Sequence, residues 1–170
     1  MSSSRIRLGV LALAVSLLSG CGFQSLYGDR SENNDLAAVE IGLIVDRSGQ
    51  ELHNALLDRI NPKGAPARPV YNLVVLLEEN LQDLAVRKDE SVTRANLQMT
   101  ANYILYSKAD GVVLSEGTSR STTSFNISTQ EYSAIVAEQD ARRRGIDLLA
   151  QDIELSLALF FRRARAGAGG

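Results

Sequence analysis

The sequence predicts an α+β fold: a two-layer sandwich in which one mixed or mostly antiparallel sheet of about four strands carries two helices on one face. Three observations point there. A segment from Arg94 to Leu105 alternates polar and apolar side chains with period two, the mark of a strand with one buried and one wet face. Two segments with apolar residues at helical spacing follow the first and the last strand-like runs. No repeat or low-complexity block divides the chain, so one sheet and two helices must share one core.

The chain opens with Arg5 and Arg7, followed by an uncharged apolar run from Leu8 to Leu18. A positive start, a short apolar stretch and small residues before a cut site describe a secretory signal peptide over residues 1–20. The run falls short of the ~20 apolar residues that a transmembrane helix needs. Leu18-Ser19-Gly20-Cys21 resembles a bacterial lipobox, which implies cleavage before Cys21, a diacylglyceryl group on its thiol and acylation of the new amine, with palmitate among the acyl donors. Cys21 is the one cysteine of the sequence, so an exported domain holds no disulfide. Removing Arg5 and Arg7 leaves 16 cationic against 20 anionic residues, a net charge of −4. That balance argues against nucleic acid as a partner, since nucleic-acid binding calls for a basic field.

Residues 21–36 read as a lipidated N-terminus and tether, small and polar from Ser25 to Asp35, with too little apolar surface to fold alone. A single α+β domain over 37–165 follows, with 166–170 as a flexible tail. Val39-Glu40-Ile41-Gly42-Leu43-Ile44-Val45 is the first strand, rich in β-branched residues. Ser48 and Glu51 have the spacing of a capping box, and Leu52, Leu56, Leu57 and Ile60 form the apolar stripe of a helix that Asn61-Pro62 ends. Pro62, Pro66 and Pro69 fall with Gly64 in one connector, which is therefore a loop. Tyr71 to Leu77 is the second strand, with a bend or bulge expected at Glu78-Glu79-Asn80 and room for a further strand near 81–88.

In the third strand Ala95, Leu97, Met99, Ala101, Tyr103 and Leu105 point one way, and Arg94, Asn96, Gln98, Thr100 and Asn102 the other. Ala109-Asp110-Gly111 supplies a turn, and the return strand starts at Val112 and becomes Ser/Thr-rich from Ser115 to Ser124. Asn96, Gln98, Asn102 and Ser119 are expected to stand exposed on the polar face. Behind a second capping box, Ser128 to Glu131, a long helix runs to about Arg163 with Ile135, Ile146, Leu149, Ile153, Leu157 and Phe160 on its stripe. Gly145 reads as its weak point, at about 1 kcal/mol against alanine.

No catalytic constellation stands out. The sequence has one histidine, His53, which flanks the first helix stripe, so a metal site, a cofactor and a Ser–His pair are not expected. The acidic pairs Glu78-Glu79, Asp89-Glu90 and Asp152/Glu154 read as solvated. Two features remain. One is a sheet face of Asn, Gln, Ser, Thr and Arg, whose neutral groups are cheaper than charges to desolvate inside a partner. The other is a scatter of cations able to meet phosphates: Arg87, Lys88, Arg94, Lys108 and Arg120.

Cys21-Gly22-Phe23-Gln24-Ser25-Leu26-Tyr27-Gly28 resembles the mature start of the lipopolysaccharide-assembly lipoproteins of the LptE family, where Cys-Gly-Phe commonly precedes Pro-Leu-Tyr; Ser25 stands at the proline position. The element order agrees as well. The resemblance implies a non-enzymatic, periplasm-facing lipoprotein anchored to the outer membrane through its N-terminal acyl chains. It implies a partner, the LptD β-barrel, which such a protein plugs and helps to assemble. It also implies lipopolysaccharide as a ligand, with the five cations as candidate contacts. Gly22 lacks the aspartate that usually retains lipoproteins in the inner membrane. The alternative from another class is a free periplasmic auxiliary lipoprotein of a lipid-transport ATPase or a cell-wall synthase.

Overall fold

The structure is a computed structural model and describes residues 34–84, 93–127 and 130–168. The signal segment, Cys21, Arg87, Lys88 and Ser128 of the second expected capping box lie outside these residues. After a helical turn at 34–36 the elements are β1 (Val39–Ile41), α1 (Arg47–Ile60), β2 (Tyr71–Leu84), β3 (Thr93–Ser107), β4 (Val113–Ile127) and α2 (Glu131–Ala168). They build the expected α+β sandwich. The four strands lie in chain order, with β1 parallel to β2 and the other two pairs antiparallel. A parallel neighbour needs a crossover connection; here it comprises α1 and the proline loop.

The period-two reading of β3 holds along its length. Ala95, Leu97, Met99, Ala101, Tyr103 and Leu105 are all buried, facing Leu73 and Val75 of β2 within one apolar core. α1 contributes Leu52, Leu56 and Ile60 to that core, and α2 contributes Ile146, Leu149, Ile153 and Leu157. These spacings of three and four residues put each set on one helix face.

Several details depart from the sequence reading. β1 ends at Ile41, leaving Leu43 and Val45 exposed on the way to α1. The capping box at Ser48 does not form. α1 begins two residues earlier, after Asp46, which has φ 72° and no side-chain cap bond, while Glu51 turns to Arg47 at 3.6 Å. There is no bend at Glu78–Asn80, because β2 stays in unbroken register with β3 from Tyr71 to Leu84. Burial does not hold this half, whose residues 78–82 are exposed, so the ladder to β3 does. In α2 the buried aromatic is Phe161, its ring 4.9 Å from that of Tyr71 and tilted by 51°, with Phe160 only packed beside it. Ile135 at the other end is exposed, and the helix continues past Arg163 to Ala168.

β4 holds the largest surprise. Ser119 is buried, as are Ser121 and Thr123, so these small residues face α2 and not solvent. Thr123 donates its hydroxyl to the Ala141 carbonyl at 3.0 Å. Gly145 of α2 sits over the same strip: a Cβ there would lie 2.8 Å from Met99 Sδ and 3.2 Å from Ser121 Oγ. The glycine is thus the point of closest approach between helix and sheet. Gly145→Val is expected to lower stability by about 1–3 kcal/mol through overpacking, despite valine's better helix propensity; thermal unfolding followed by circular dichroism measures it.

The N-terminal segment is clipped to the end of α2. Arg165 donates to Asp35 Oδ2 from Nε at 2.9 Å and from Nη2 at 2.5 Å. Burial, with Asp35 nearby, raises the Tyr71 hydroxyl above its ordinary pKa, against the opposing charge of Arg165.

Candidate functional site

Both helices pack on one face of the sheet, so the opposite face of β2, β3 and β4 is left uncovered by the described residues. Its side chains alternate with the core positions and can be read as rows across the strands. Glu78, Thr100 and Arg120 form one row; Asn80, Gln98 and Thr122 the next; Gln82, Asn96 and Ser124 the next; Arg94 and Asn126 close that end. Two cross-strand bonds tie neighbours together: Thr118 Oγ1 donates to Asn102 Oδ1 at 2.8 Å, and Ser124 Oγ donates to Asn96 Oδ1 at 2.6 Å. Amides and hydroxyls dominate here, with Glu78, Arg94 and Arg120 as the charges.

Toward the other end the same face changes character. Val74 pairs with Ile104 and Tyr106 with Val113, while Leu76 lies diagonal to Ile104. The face is therefore polar over one part and mixed over the rest, where Glu116 stands opposite Ile104 and Asn72 opposite Tyr106. Sequence reasoning found the polar part through β3. It missed Thr118, Thr122, Ser124 and Asn126 as the outward set of β4, because serine and threonine occupy both faces there and carry no alternation signal.

The candidate cations do not converge. Arg94 and Lys108 stand near opposite ends of β3, about 46 Å apart at ~3.3 Å per residue. Lys108 pairs with Glu40, whereas Arg120 lies mid-face opposite Thr100. Other chemistry is sparse. His53 Nδ1 lies 3.1 Å from the Gly42 carbonyl oxygen, an interaction that ties the middle of α1 to the segment after β1. No cluster of three His, Cys, Asp or Glu among the described residues could hold a metal ion. A groove of about 620 Å³ between α1 and α2 is lined by opposite charges, including Arg47, Glu51, Asp58, Arg142 and Asp147. Its Arg142 bridges Glu138 at 2.7 Å and Glu79 of β2 at 3.3 Å, which is a structural use of the charge.

The uncovered polar face is the candidate binding surface among the described residues, and comparison with known proteins gives the process. The sequence model of the family described as LptE, lipopolysaccharide-assembly, matches residues 24–157. The chain belongs to the LptE family. Its process is therefore lipopolysaccharide assembly, and the family is one of non-enzymatic lipoproteins associated with the outer membrane. Among solved structures it is similar to a candidate lipoprotein from Caulobacter crescentus CB15, at 24% identity and a TM-score of 0.65, over 79% of this chain and 97% of that one. It is also similar to a minor lipoprotein from Acinetobacter baumannii, at 16% identity and a TM-score of 0.54, over 71% of this chain and 91% of that one. These two likenesses concern the fold. No curated protein matches the chain. No helix among the described residues is long and apolar enough to cross a membrane.

Proposed function

We propose that this LptE-family chain is an outer-membrane lipoprotein, acylated at Cys21, that plugs the LptD β-barrel, helps it assemble and serves lipopolysaccharide insertion into the outer leaflet. The observation that carries the reading is the uncovered amide and hydroxyl face. Barrel lumens are polar and wet, and neutral polar groups can exchange water for a partner's hydrogen bonds at less cost than charges. The length fits as well. Arg94 to Asn102, the polar run on β3, covers about 27 Å at ~3.4 Å per residue, close to the ~25 Å apolar band of an outer-membrane barrel. Arg94 and Arg120, with Arg87 and Lys88 from the β2–β3 connection, are the cations offered to lipopolysaccharide phosphates. Lys108, already paired with Glu40, is the weaker candidate.

The test is extraction of the native membrane in mild detergent and purification through a C-terminal tag. One large, heat-modifiable barrel recovered in equal amount is the expected result. Recovery of an inner-membrane transporter or a cell-wall synthase in its place would support the free-module alternative.

A further inference from the structure

The plug reading uses the face of the sheet and leaves its edges unused. We propose that a second copy of this chain pairs antiparallel along the free edge of β4, with Thr118 on the two-fold axis, so that the chain outside a barrel is a dimer whose two four-stranded sheets run on as one. The axis stands perpendicular to the sheet, which keeps both polar faces on one side and all the helices on the other.

β4 is an edge strand of 15 residues, and among the described residues its backbone pairs with β3 alone. An open edge is a template for another strand, and proteins ordinarily blunt it with proline, lysine or a bulge. β4 has no proline and no lysine, its register shift lies at the hairpin end beside Leu105 and Tyr106, and its charges are Glu116 and Arg120. The other free edge is β2 beyond Leu73, where Glu78, Glu79 and Asp83 would set two copies against each other by charge.

Three observations select a second copy as the occupant. The first is charge. With Thr118 opposite itself, Glu116 of each copy stands opposite Arg120 of the other on the same face, and neither has an ion pair in its own chain among the described residues. Moving the axis to Arg120 would set arginine against arginine, so charge fixes the register. The second is a hydroxyl. Ser121 Oγ is buried and has no hydrogen-bond partner among the described residues. In this register Ser115 of the second copy lies opposite it, and serine hydroxyls bond across strands. The third is apolar area. α1 packs on β1 and β2 and α2 chiefly on β3 and β4, so the side of α2 turned away from α1 flanks the free edge. Leu148 lies on that side, 52% exposed and ~200° around the helix from Ile146 of the α1 groove. Ala141 lies at Thr123 and Gly145 at Ser121, so α2 runs antiparallel to β4 and Leu148 reaches the strand near Ser119, beside the axis.

The experiment uses the whole mature chain, acylated and purified in mild detergent, with single cysteines added on β4. Opposite residues of an antiparallel pair have Cα atoms about 4.5–5.5 Å apart, within disulfide range, so Thr118→Cys is expected to give a disulfide dimer under mild oxidation. Thr122→Cys, about 26 Å from its counterpart at ~3.3 Å per residue, is expected to give none; the wild-type chain is the blank. Glu116→Arg and Arg120→Glu each set like charges opposite one another at two places, and each is expected to weaken dimerisation about tenfold in sedimentation. The double reversal is expected to restore it, which a fold damaged by either single change would not allow. A wild-type chain that sediments as a monomer, or a disulfide that forms at 122 and not at 118, overturns the proposal. Dimers indifferent to every charge reversal overturn it too, because clustering through the acyl chains has no register. None of these outcomes touches the plug reading, which co-purification of the barrel tests separately.

Discussion

Leu97→Asp and Tyr103→Asp should unfold the domain, while Gln98→Asp and Thr100→Asp leave it folded. Leu97 and Tyr103 are buried beneath the helices, at 2% and 7% exposure, whereas their even-numbered neighbours belong to the uncovered face. An aspartate at either buried site loses the apolar contacts and faces no cation in the core, a cost of several kcal/mol. Domains of this size have only about 5–15 kcal/mol in total. On the open face the change costs about 1 kcal/mol or less in strand preference, a shift of roughly 2–4 °C in melting temperature for a chain of this length. Thermal unfolding of the four variants is the measurement. An equal fall for both sets would mean that the open face is covered in the isolated domain.

Cys21→Ser should abolish both palmitate incorporation and retention in the membrane fraction. Each buried CH₂ of an acyl chain contributes about 0.8 kcal/mol, so one chain binds only marginally and two or more hold firmly. No other cysteine is present to take the lipid. Metabolic labelling with radioactive palmitate, followed by fractionation, reads both effects. Continued labelling of the serine variant would place the acylation elsewhere.

How far the sequence could be read depended on whether each face had its own residue types. β3 was legible because apolar and polar side chains alternate without a break, and that alternation set the buried face of the whole sheet. The helix stripes were legible for the same reason, apart from Ile135, which is exposed, and the choice of Phe161 over Phe160, which the contact with Tyr71 decides. β4 was not legible. Ser119, Ser121 and Thr123 differ little from Thr118, Thr122 and Ser124 as residues, yet α2 covers the first three. The space over Ser121 and Thr123 comes from Gly145, whose significance lies in what it faces and not in its helix propensity. The straight course of β2 past Glu78 was hidden too, since its support is the β3 ladder and not its own apolar pattern. At the candidate site, the polar half of the face was visible from β3 alone. The mixed character of the other end required the register between strands, which brings Ile104 between Val74 and Glu116 and Tyr106 between Asn72 and Val113.

The central claim is that the amide and hydroxyl face lies inside a β-barrel. Photo-crosslinking in intact cells tests it most directly, with the reactive residue placed at Asn96, Gln98, Asn102 or Thr122 on the face and at Leu155 on the exposed side of α2 as a comparison. Ser119 is excluded because it is buried. The account predicts one discrete adduct from the face positions, containing a large heat-modifiable barrel. Adducts formed only from Leu155, or face adducts only with periplasmic proteins, would contradict it.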